Sequence, residues 1–331
     1  MDMEYGILNL AVKHKRYNQL EAFVKASLHT DTITLQALGG DASFRHYYRA
    51  LGKIIVDSPP DTQKNHEFAD INARLKNCGV RVPEIYAMDL KNGFFILEDL
   101  GDTLFYDKAV SDEKAVYYKK AIDMLLKIGK ADSKGLPPFD RDFILFELNI
   151  CTQWCLEKAL GLELDDKALH ILDKGFAALA DNCLAQRQIA MHRDFHCRNI
   201  MLHEGQLCCI DFQDMVCGPL LYDLASLIFD CYIKLDDALV DELMHYAYDR
   251  YTSDMALDMS YSVFAKTLYM TSLQRHIKVL GIFNRLYLRD GKSSYLKDLP
   301  LVLEYVLHEC DRCDLKELGA FFKDNLEGKF T

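Results

Sequence analysis

A short stretch in the second half of the chain, Met191–Phe212, constrains the fold more than any other part of the sequence. Within it, Ile200–Leu202 and Leu207–Ile210 are predicted to form two short strands, and Glu204-Gly205 between them is typical of a tight turn. The pattern therefore predicts a β-hairpin. Because a tight hairpin places its two ends side by side, polar residues that flank it are expected to converge on one point.

Three polar side chains flank this predicted hairpin: Asp194 and Asn199 precede its first strand, and Asp211 follows its second. Carboxylate and amide oxygens on a rigid hairpin suit Mg²⁺, which takes one or two carboxylates and leaves sites for phosphate oxygens. Asp194 lies five residues before Asn199, which is the spacing of the kinase catalytic loop H-R-D-x-x-x-x-N. We therefore predict a kinase-like site with Asp194 as the base and Asn199 and Asp211 as Mg²⁺ ligands. The alternative is a polar loop with solvated acids.

Length and composition restrict the class of protein. The chain has 331 residues, of which 50% are hydrophobic, so it can form one large or two modest domains. Its net charge of −11 argues against nucleic acid or an anionic membrane as a partner. The chain start lacks the pattern of a signal peptide, and no apolar run reaches the ~18 residues of a membrane span. Eleven cysteines without regular spacing indicate a reducing compartment, so we expect a cytoplasmic protein.

The first third of the chain predicts a small antiparallel sheet. Residues 1–28 have helical spacing, and residues 33–58 predict a meander of three strands. A helix over 64–77 and two strands over 82–88 and 94–98 complete five strands with one inserted helix. We place the end of this lobe at residue 98.

From residue 112 onward the pattern is helical, apart from the hairpin. Helices are predicted over about 142–160, 166–184 and 220–233, with three or four more over 236–325. The chain is therefore predicted to have an α+β fold with two lobes. The first, residues 1–98, has a small antiparallel β-sheet, and the second, residues 99–331, is mainly helical.

Further motifs carry a resemblance to a known family. The motifs are the catalytic loop itself, then Ile210-Asp211-Phe212, Gly218-Pro219 and Tyr222–Ala225. They resemble motifs of the aminoglycoside phosphotransferase family, whose members are small-molecule kinases with the protein-kinase fold. Four more stretches resemble the branch of bacterial cell-wall sugar kinases that phosphorylate the anomeric hydroxyl of N-acetylmuramate and N-acetylglucosamine. They are Gly39–Arg45, Asp57–Pro60, Leu97–Gly101 and Gln274–Phe283.

The resemblance implies a nucleotide site for ATP with Mg²⁺. The small-residue loop that contains Gly40 and Ser43 is expected to contact phosphate through its backbone, although an ordinary hairpin is the alternative. Glu98 and Leu100 are expected to offer backbone groups to adenine.

One departure from the kinase pattern concerns the lysine that holds the phosphates on the third strand. Val56 or Asp57 stands near the place of that lysine in this chain. Lys53, Arg45 or Arg49 must then neutralise the phosphates, or Mg²⁺ does so alone.

Several residues are candidates for loop support and for substrate binding. His192 is expected to be structural, and Asp223 is expected to anchor the catalytic-loop backbone. Arg275 and Lys278 lie three residues apart on a predicted helix and can meet a carboxylate or a sugar amide, or else face solvent or a neighbouring acid. The remaining substrate candidates are Gln213, Asp214 and Asp230.

These residues leave three functions open. The first is an ATP-dependent kinase that phosphorylates the anomeric hydroxyl of an amino sugar in peptidoglycan recycling. The second is a kinase for aminoglycosides, choline or another small alcohol. The third is a catalytically silent nucleotide-binding module, which the missing lysine favours and the intact Asp194, Asn199 and Asp211 set disfavours.

Overall fold

The computed structural model describes residues 2–39 and 45–330, and their side chains from Lys15 onward. The chain divides into two compact units, each discontinuous in sequence. The first unit consists of Met1–Lys76, Arg81–Thr103 and Met201–Asp214. The second consists of Asn77–Val80, Leu104–Ile200 and Met215–Thr331.

The first unit contains a five-stranded antiparallel sheet, which confirms the predicted class of fold. Its central strand is rich in β-branched residues, as a buried strand requires. The strand order is β1-β2-β3-β5-β4. The strands are β1 (Gln36–Ala37), β2 (His46–Ala50), β3 (Lys53–Asp57), β4 (Ile85–Asp89) and β5 (Phe94–Glu98).

Two helices and a hairpin complete the first unit. The helices are α1 (Asp2–Leu28) and α2 (Asn65–Asn77). One core of the unit forms where α1 meets the sheet, and its fully buried members include Leu20 of α1 and Ile55 of β3. The predicted hairpin forms from β7 (Ile200–His203) and β8 (Gln206–Cys209), and it belongs to this unit from Met201 on.

The second unit is mainly helical, with a small two-stranded sheet. Several of its helices begin at an acidic or hydroxyl side chain that accepts a hydrogen bond from the backbone three residues later, as Asp165 and Ser260 do. The strands β6 (Gln188–Met191) and β9 (Val216–Pro219) pair antiparallel. The α-helices are α3 (Phe105–Ala109), α4 (Lys114–Ile128), α5 (Arg141–Ile150), α6 (Asp166–Ala185), α7 (Tyr222–Ile228), α8 (Asp237–Met255), α9 (Tyr261–Asp290), α10 (Leu299–Arg312) and α11 (Lys316–Leu326).

The helix predicted over 142–160 is confirmed in its extent, but its second half is π-helical, because α5 continues directly into the segment Cys151–Ala159. At this junction α9 approaches very closely. A Cβ on Gly281 would lie 2.4 Å from the Ile150 carbonyl carbon and from the Cys151 nitrogen. The only tryptophan of the chain, Trp154, lies in the π-helical segment, with the Lys158 ammonium 3.6 Å from its ring centre.

The helix predicted over 220–233 is wrong in its length, because α7 ends at Ile228. The sequence suggested that Asp230 lies on this helix, but in the structure Asp230 comes after the helix has ended. Its carboxylate accepts hydrogen bonds from the backbone N–H groups of Cys197 and Tyr232. These contacts fix the chain in a non-helical path. Among residues 2–39 and 45–330, none of the helices combines the length and apolar character that crossing a membrane requires.

Candidate active site

The loop between β6 and β7 carries the kinase-like motif, and a carboxylate of α7 binds the backbone of this loop. The Asp223 carboxylate accepts hydrogen bonds from the backbone N–H groups of His192 (2.6 Å) and Arg193 (3.0 Å). Burial raises the pKa of Asp223 to about 6, against the opposing influence of His192 and of these N–H groups. Asp230 holds the far end of the loop through Cys197 N, at 2.8 Å. The loop is therefore fixed at both ends, as a preorganised site requires.

The residue before Asp194 adopts a strained backbone conformation. Arg193 has a φ of 77°, in the left-handed region that non-glycine residues rarely occupy. Such strain is of order 1–3 kcal/mol and persists only where the surroundings enforce it. The Arg193 guanidinium is held by Glu147 at 2.9 Å and lies over the Phe143 ring at 5.0 Å. These contacts, together with the hydrogen bonds that the Asp223 carboxylate accepts, stabilise the turn of the chain directly before Asp194.

The electrostatic surroundings of Asp194 keep its side chain ionised. Burial alone would raise the pKa of this carboxyl, but Lys278, His196 and Arg193 together lower the pKa to about 2. Lys278 is itself buried, with its ammonium 2.9 Å from the Tyr222 hydroxyl and 3.6 Å from Glu147. Asp194 is therefore a carboxylate at physiological pH, and Lys278 and Arg193 are the cations that favour this form.

Asn199 is positioned by the same loop that carries Asp194. Its amide nitrogen donates a hydrogen bond to the Asp194 carbonyl at 3.0 Å, and it lies 3.4 Å from His196 Nε2. Because an amide is planar, this bond also fixes the orientation of the side-chain oxygen. The two residues at the kinase spacing are thus locked to each other within the second unit.

Asp211 belongs to the first unit, directly after the hairpin. It is exposed, and its φ of 61° is again left-handed for a non-glycine residue. One carboxylate oxygen accepts a hydrogen bond from Gln213 Nε2 at 2.8 Å, and the next residue, Phe212, is buried against Phe68. An exposed carboxylate held by an anchored backbone is chemically suited to a hard cation such as Mg²⁺.

The structure describes only some of the residues that were expected around the nucleotide. Gly40 and Ser43 lie outside the described residues. The Glu98 N–H donates to the Glu84 carbonyl, and the Leu100 carbonyl lies 3.1 Å from His203 Nδ1. Of the backbone groups that were predicted to meet adenine, the Glu98 N–H and the Leu100 carbonyl are therefore already engaged within the protein.

The three basic candidates for the phosphates differ in their surroundings. Arg49 forms salt bridges with Asp99 and Asp102. The Lys53 ammonium lies 4.0 Å from the centre of the Tyr86 ring. Arg45 is buried, and its Nε donates to Ser58 Oγ at 3.1 Å.

The substrate candidates are mostly engaged with the protein itself. Arg275 is buried beside the Phe229 carbonyl and the Cys231 sulfur, and Lys278 occupies the Tyr222 and Glu147 cluster described above. Asp214 binds Lys64 at 2.6 Å. Gln213 contacts Asp211, and Asp230 contacts backbone groups of the loop.

Two groups near the loop were missed from the sequence. Glu147 accepts from Arg193 and lies near Lys278, and it shares the buried face of α5 with Ile144 and Leu148. An acid at helical spacing among apolar residues was the signal that could have revealed it. Arg198, next to Asn199, lies with its guanidinium carbon 3.5 Å from the centre of the Tyr232 ring. No spacing rule predicts that pair, because Tyr232 is far away in sequence.

The antiparallel sheet of the first unit and the helical second unit with its catalytic-type loop define the class of kinase-like phosphotransferases. A family model described as the phosphotransferase enzyme family (APH) matches residues 34–256. The chain therefore belongs to this family, as the sequence motifs predicted.

Two relatives have substantial sequence similarity to this chain. A protein of Pseudomonas aeruginosa is 34% identical over 295 residues, which cover 87% of this chain and 87% of the relative. A protein of Neisseria meningitidis is 34% identical over 277 residues, which cover 80% of this chain and 82% of the relative. Both are named N-acetylmuramate/N-acetylglucosamine kinase.

Solved structures share the fold at much lower identity. The ADP-bound aminoglycoside phosphotransferase APH(2'')-Ib is 14% identical with a TM-score of 0.60, and the match covers 92% of this chain and 98% of that chain. The choline kinase LicA from Streptococcus pneumoniae is 15% identical with a TM-score of 0.61, over 88% of this chain and 99% of that chain. At these identities the similarity shows the fold alone.

Proposed function

We propose that this protein transfers the γ-phosphate of ATP to the anomeric hydroxyl of N-acetylmuramate, N-acetylglucosamine or both, in peptidoglycan recycling. The observation that carries the proposal is the 34% identity, over 87% of the chain, to a relative that bears this name. The catalytic-type loop supports it, because Asp194 and Asn199 are locked together at the spacing that phosphoryl transfer uses.

In the proposed reaction Asp194 orients the sugar hydroxyl and accepts its proton. The anomeric oxygen forms a bond to the γ-phosphorus, the bond from that phosphorus to the β,γ-bridging oxygen breaks, and ADP leaves. The anomeric hydroxyl is more acidic than an ordinary alcohol, which suits a carboxylate whose pKa is about 2. A base of this strength contributes mainly by orientation, as expected where positioning and charge stabilisation dominate.

Mg²⁺ would supply neutralisation of the phosphate charge, with Asp211 and Asn199 as the protein groups that hold it. Contacts and backbone conformation within the protein position both residues. Asp211 is exposed on a left-handed backbone, and the Asn199 amide is oriented by its bond to the Asp194 carbonyl. Lys278 and Arg193 lower the pKa of Asp194, which favours its ionised form in the protein that receives the sugar.

The acceptor is tested with a panel of N-acetylmuramate, N-acetylglucosamine, kanamycin and choline, with ADP release measured for wild-type protein and for Asp194→Asn. We expect turnover with one or both sugars, and a product that has lost its reducing end. Faster turnover of kanamycin or choline, or a product that keeps its reducing end, would contradict the anomeric proposal. Nucleotide binding with no turnover on any acceptor would favour a silent module.

A further inference from the structure

The position where a kinase lysine is expected carries an apolar side chain in this protein. Val56 lies on β3, where it pairs with Tyr47 of β2 on one side and with Phe95 of β5 on the other. It is 3% exposed and lines a small cavity of the first unit. This strand position therefore supplies no charge to the cavity.

A cation reaches the same cavity from the neighbouring strand. Arg45 directly precedes β2, is 6% exposed and lines the cavity together with Val56. Its Nε donates to Ser58 Oγ at 3.1 Å, and its guanidinium carbon lies 5.3 Å from the centre of the Phe68 ring. Arg45 thus places its guanidinium in the region that a lysine at position 56 would enter.

A buried hydrogen-bond network fixes the orientation of that guanidinium. Ser58 Oγ donates to Asn65 Oδ1 at 2.6 Å, and Asn65 Nδ2 donates back to the Ser58 carbonyl at 2.8 Å. Ser58 and Asn65 are both buried. Groups whose partners are themselves held by such a network keep one geometry, which is the requirement for precise recognition.

Further contacts connect Arg45 with the candidate metal carboxylate inside the first unit. The Phe68 ring, which lies under the Arg45 guanidinium, stacks on Phe212 at 5.1 Å with an interplanar angle of 13°. Phe212 directly follows Asp211. Arg45 is therefore linked to the residue next to Asp211 through two packed rings, Phe68 and Phe212.

The other two cations that the sequence left open are directed elsewhere. Arg49 is bound by two carboxylates, Asp99 at 2.7 Å and Asp102 at 2.8 Å. The Lys53 ammonium is placed over Tyr86. Neither of them lines the cavity beside Val56.

We propose that the guanidinium of Arg45, in place of a lysine on β3, binds the phosphate oxygens of the nucleotide. The inference rests on the proposed kinase function and deepens it by assigning the phosphate-binding cation. A guanidinium offers several N–H donors in a planar fork, which matches phosphate oxygens better than a single ammonium does. The role of Arg45 is recognition of the phosphates, so it affects nucleotides and leaves the nucleoside part of the site unchanged.

The test compares the binding of ADP and adenosine by calorimetry at fixed Mg²⁺. We expect Arg45→Met to weaken ADP binding by about tenfold or more, the loss of one charge-assisted contact, while adenosine affinity stays unchanged. The double variant Arg45→Met with Val56→Lys is expected to recover most of the ADP affinity, because a lysine then enters the same cavity. Adenosine binding also shows that each variant is folded.

A matched control is Arg74→Met, which removes an arginine of α2 that pairs with Asp70 and is expected to leave both affinities unchanged. If Arg45→Met does not fold, Arg45→Gln replaces it, since glutamine can still bond to Ser58 but carries no charge. Unchanged ADP affinity in a folded Arg45 variant would overturn the inference and leave the kinase proposal intact. A wild-type protein that binds no ADP would instead refute the proposed function.

Discussion

At the scale of single residues, buried charges are concentrated around the catalytic-type loop. Glu147, Lys278 and Asp223 are all buried, yet each is held by a partner of opposite charge or by backbone N–H groups. Buried charges are tolerated only with such partners, because desolvation is otherwise too unfavourable. The arrangement puts more charge in this region than packing alone would explain, as is typical of functional sites.

The first prediction concerns Asp194→Asn. The substitution keeps the shape of the side chain but removes the proton acceptor, so we expect turnover to fall by roughly 10²- to 10⁴-fold. Nucleotide affinity is expected to stay within a few-fold of wild type. Steady-state turnover and calorimetric ATP binding measure the two effects separately. Turnover within a few-fold of wild type would exclude Asp194 as the base.

The second prediction concerns the proposed metal carboxylate, Asp211. Asp211→Asn removes one of few charged ligands, so we expect a higher Mg²⁺ concentration to be needed for half-maximal turnover at fixed ATP. Asp70→Asn is the matched control, because Asp70 lies in the same unit and is bound to Arg74. The same Mg²⁺ dependence in Asp211→Asn and wild type would refute the assignment.

At the scale of elements, α9 is unusual because its buried face is partly polar. Arg275, His276 and Lys278 are all less than 4% exposed. His276 contacts the Glu309 carboxylate of α10 at 2.9 Å, and both side chains are fully buried. A helix that buries several charged groups depends on its neighbours for their partners, which links α9 firmly to α10 and to α7.

The third prediction follows from the pair of His276 and Glu309. Burial alone lowers the pKa of His276, but the Glu309 carboxylate and, after it, the Cys231 sulfur more than reverse this effect, and the pKa rises to about 9. When folding raises the pKa of a histidine, its protonated form stabilises the folded protein. This stabilisation is complete at a pH below the pKa of the unfolded state, and it is lost as the pH rises through the pKa of the folded state. We therefore expect the free energy of unfolding to fall by roughly 1–3 kcal/mol between pH 6.5 and pH 9.5.

Urea unfolding at several pH values measures this change. Glu309→Gln removes the first cause of the raised pKa of His276, so the decline of stability over this pH range should become smaller. Glu163→Gln, at an exposed glutamate, is the control and should behave as wild type. A wild-type stability that rises with pH over this range would contradict the prediction.

The fourth prediction concerns the contact of α9 with the junction of α5 and the π-helical segment. A Cβ at Gly281 would meet the backbone of Ile150 and Cys151 at 2.4–2.5 Å. Because backbone cannot yield as a side chain can, we expect Gly281→Ala to destabilise the protein by about 1–3 kcal/mol.

Gly175→Ala is the matched control, because Gly175 also lies within a helix but faces the flexible end of Leu318 at 2.8 Å. Alanine has a helix propensity about 1 kcal/mol better than glycine, which offsets the small rearrangement of Leu318. Urea unfolding of both variants measures the difference. Equal stabilities of the two variants would show that α9 can move away from the junction.

At the scale of the whole molecule, the sequence predicted the class of fold because hydrophobic periodicity reports local structure directly. It did not predict where α7 ends, since Asp230 is held by Cys197, a residue far away in the chain. The π-helical segment was missed for a similar reason, because its neighbour Gly281 is more than a hundred residues away. The left-handed conformation of Arg193 has no signal at all in a sequence that lacks glycine there.

The fifth prediction concerns the unfolding of the two units. Trp154 is the only tryptophan and lies in the second unit, whereas helices and strands of both units contribute to circular dichroism. We expect urea transitions from the two probes to coincide. The reason is the order of the segments: residues 201–214 belong to the first unit but lie between two segments of the second unit in the sequence. Unfolding of either unit therefore displaces chain segments that are directly bonded to the other. Separate midpoints would show independent unfolding.

The discontinuity of the units also limits how the protein can be divided. The chain passes from one unit to the other five times, after residues 76, 80, 103, 200 and 214. No single cut therefore yields either unit as one continuous polypeptide, and a gene fragment that ends at residue 103 lacks both the hairpin and Asp211, which follows it. Expressing the first unit as a separate polypeptide would need residues 201–214 to be grafted back through a linker.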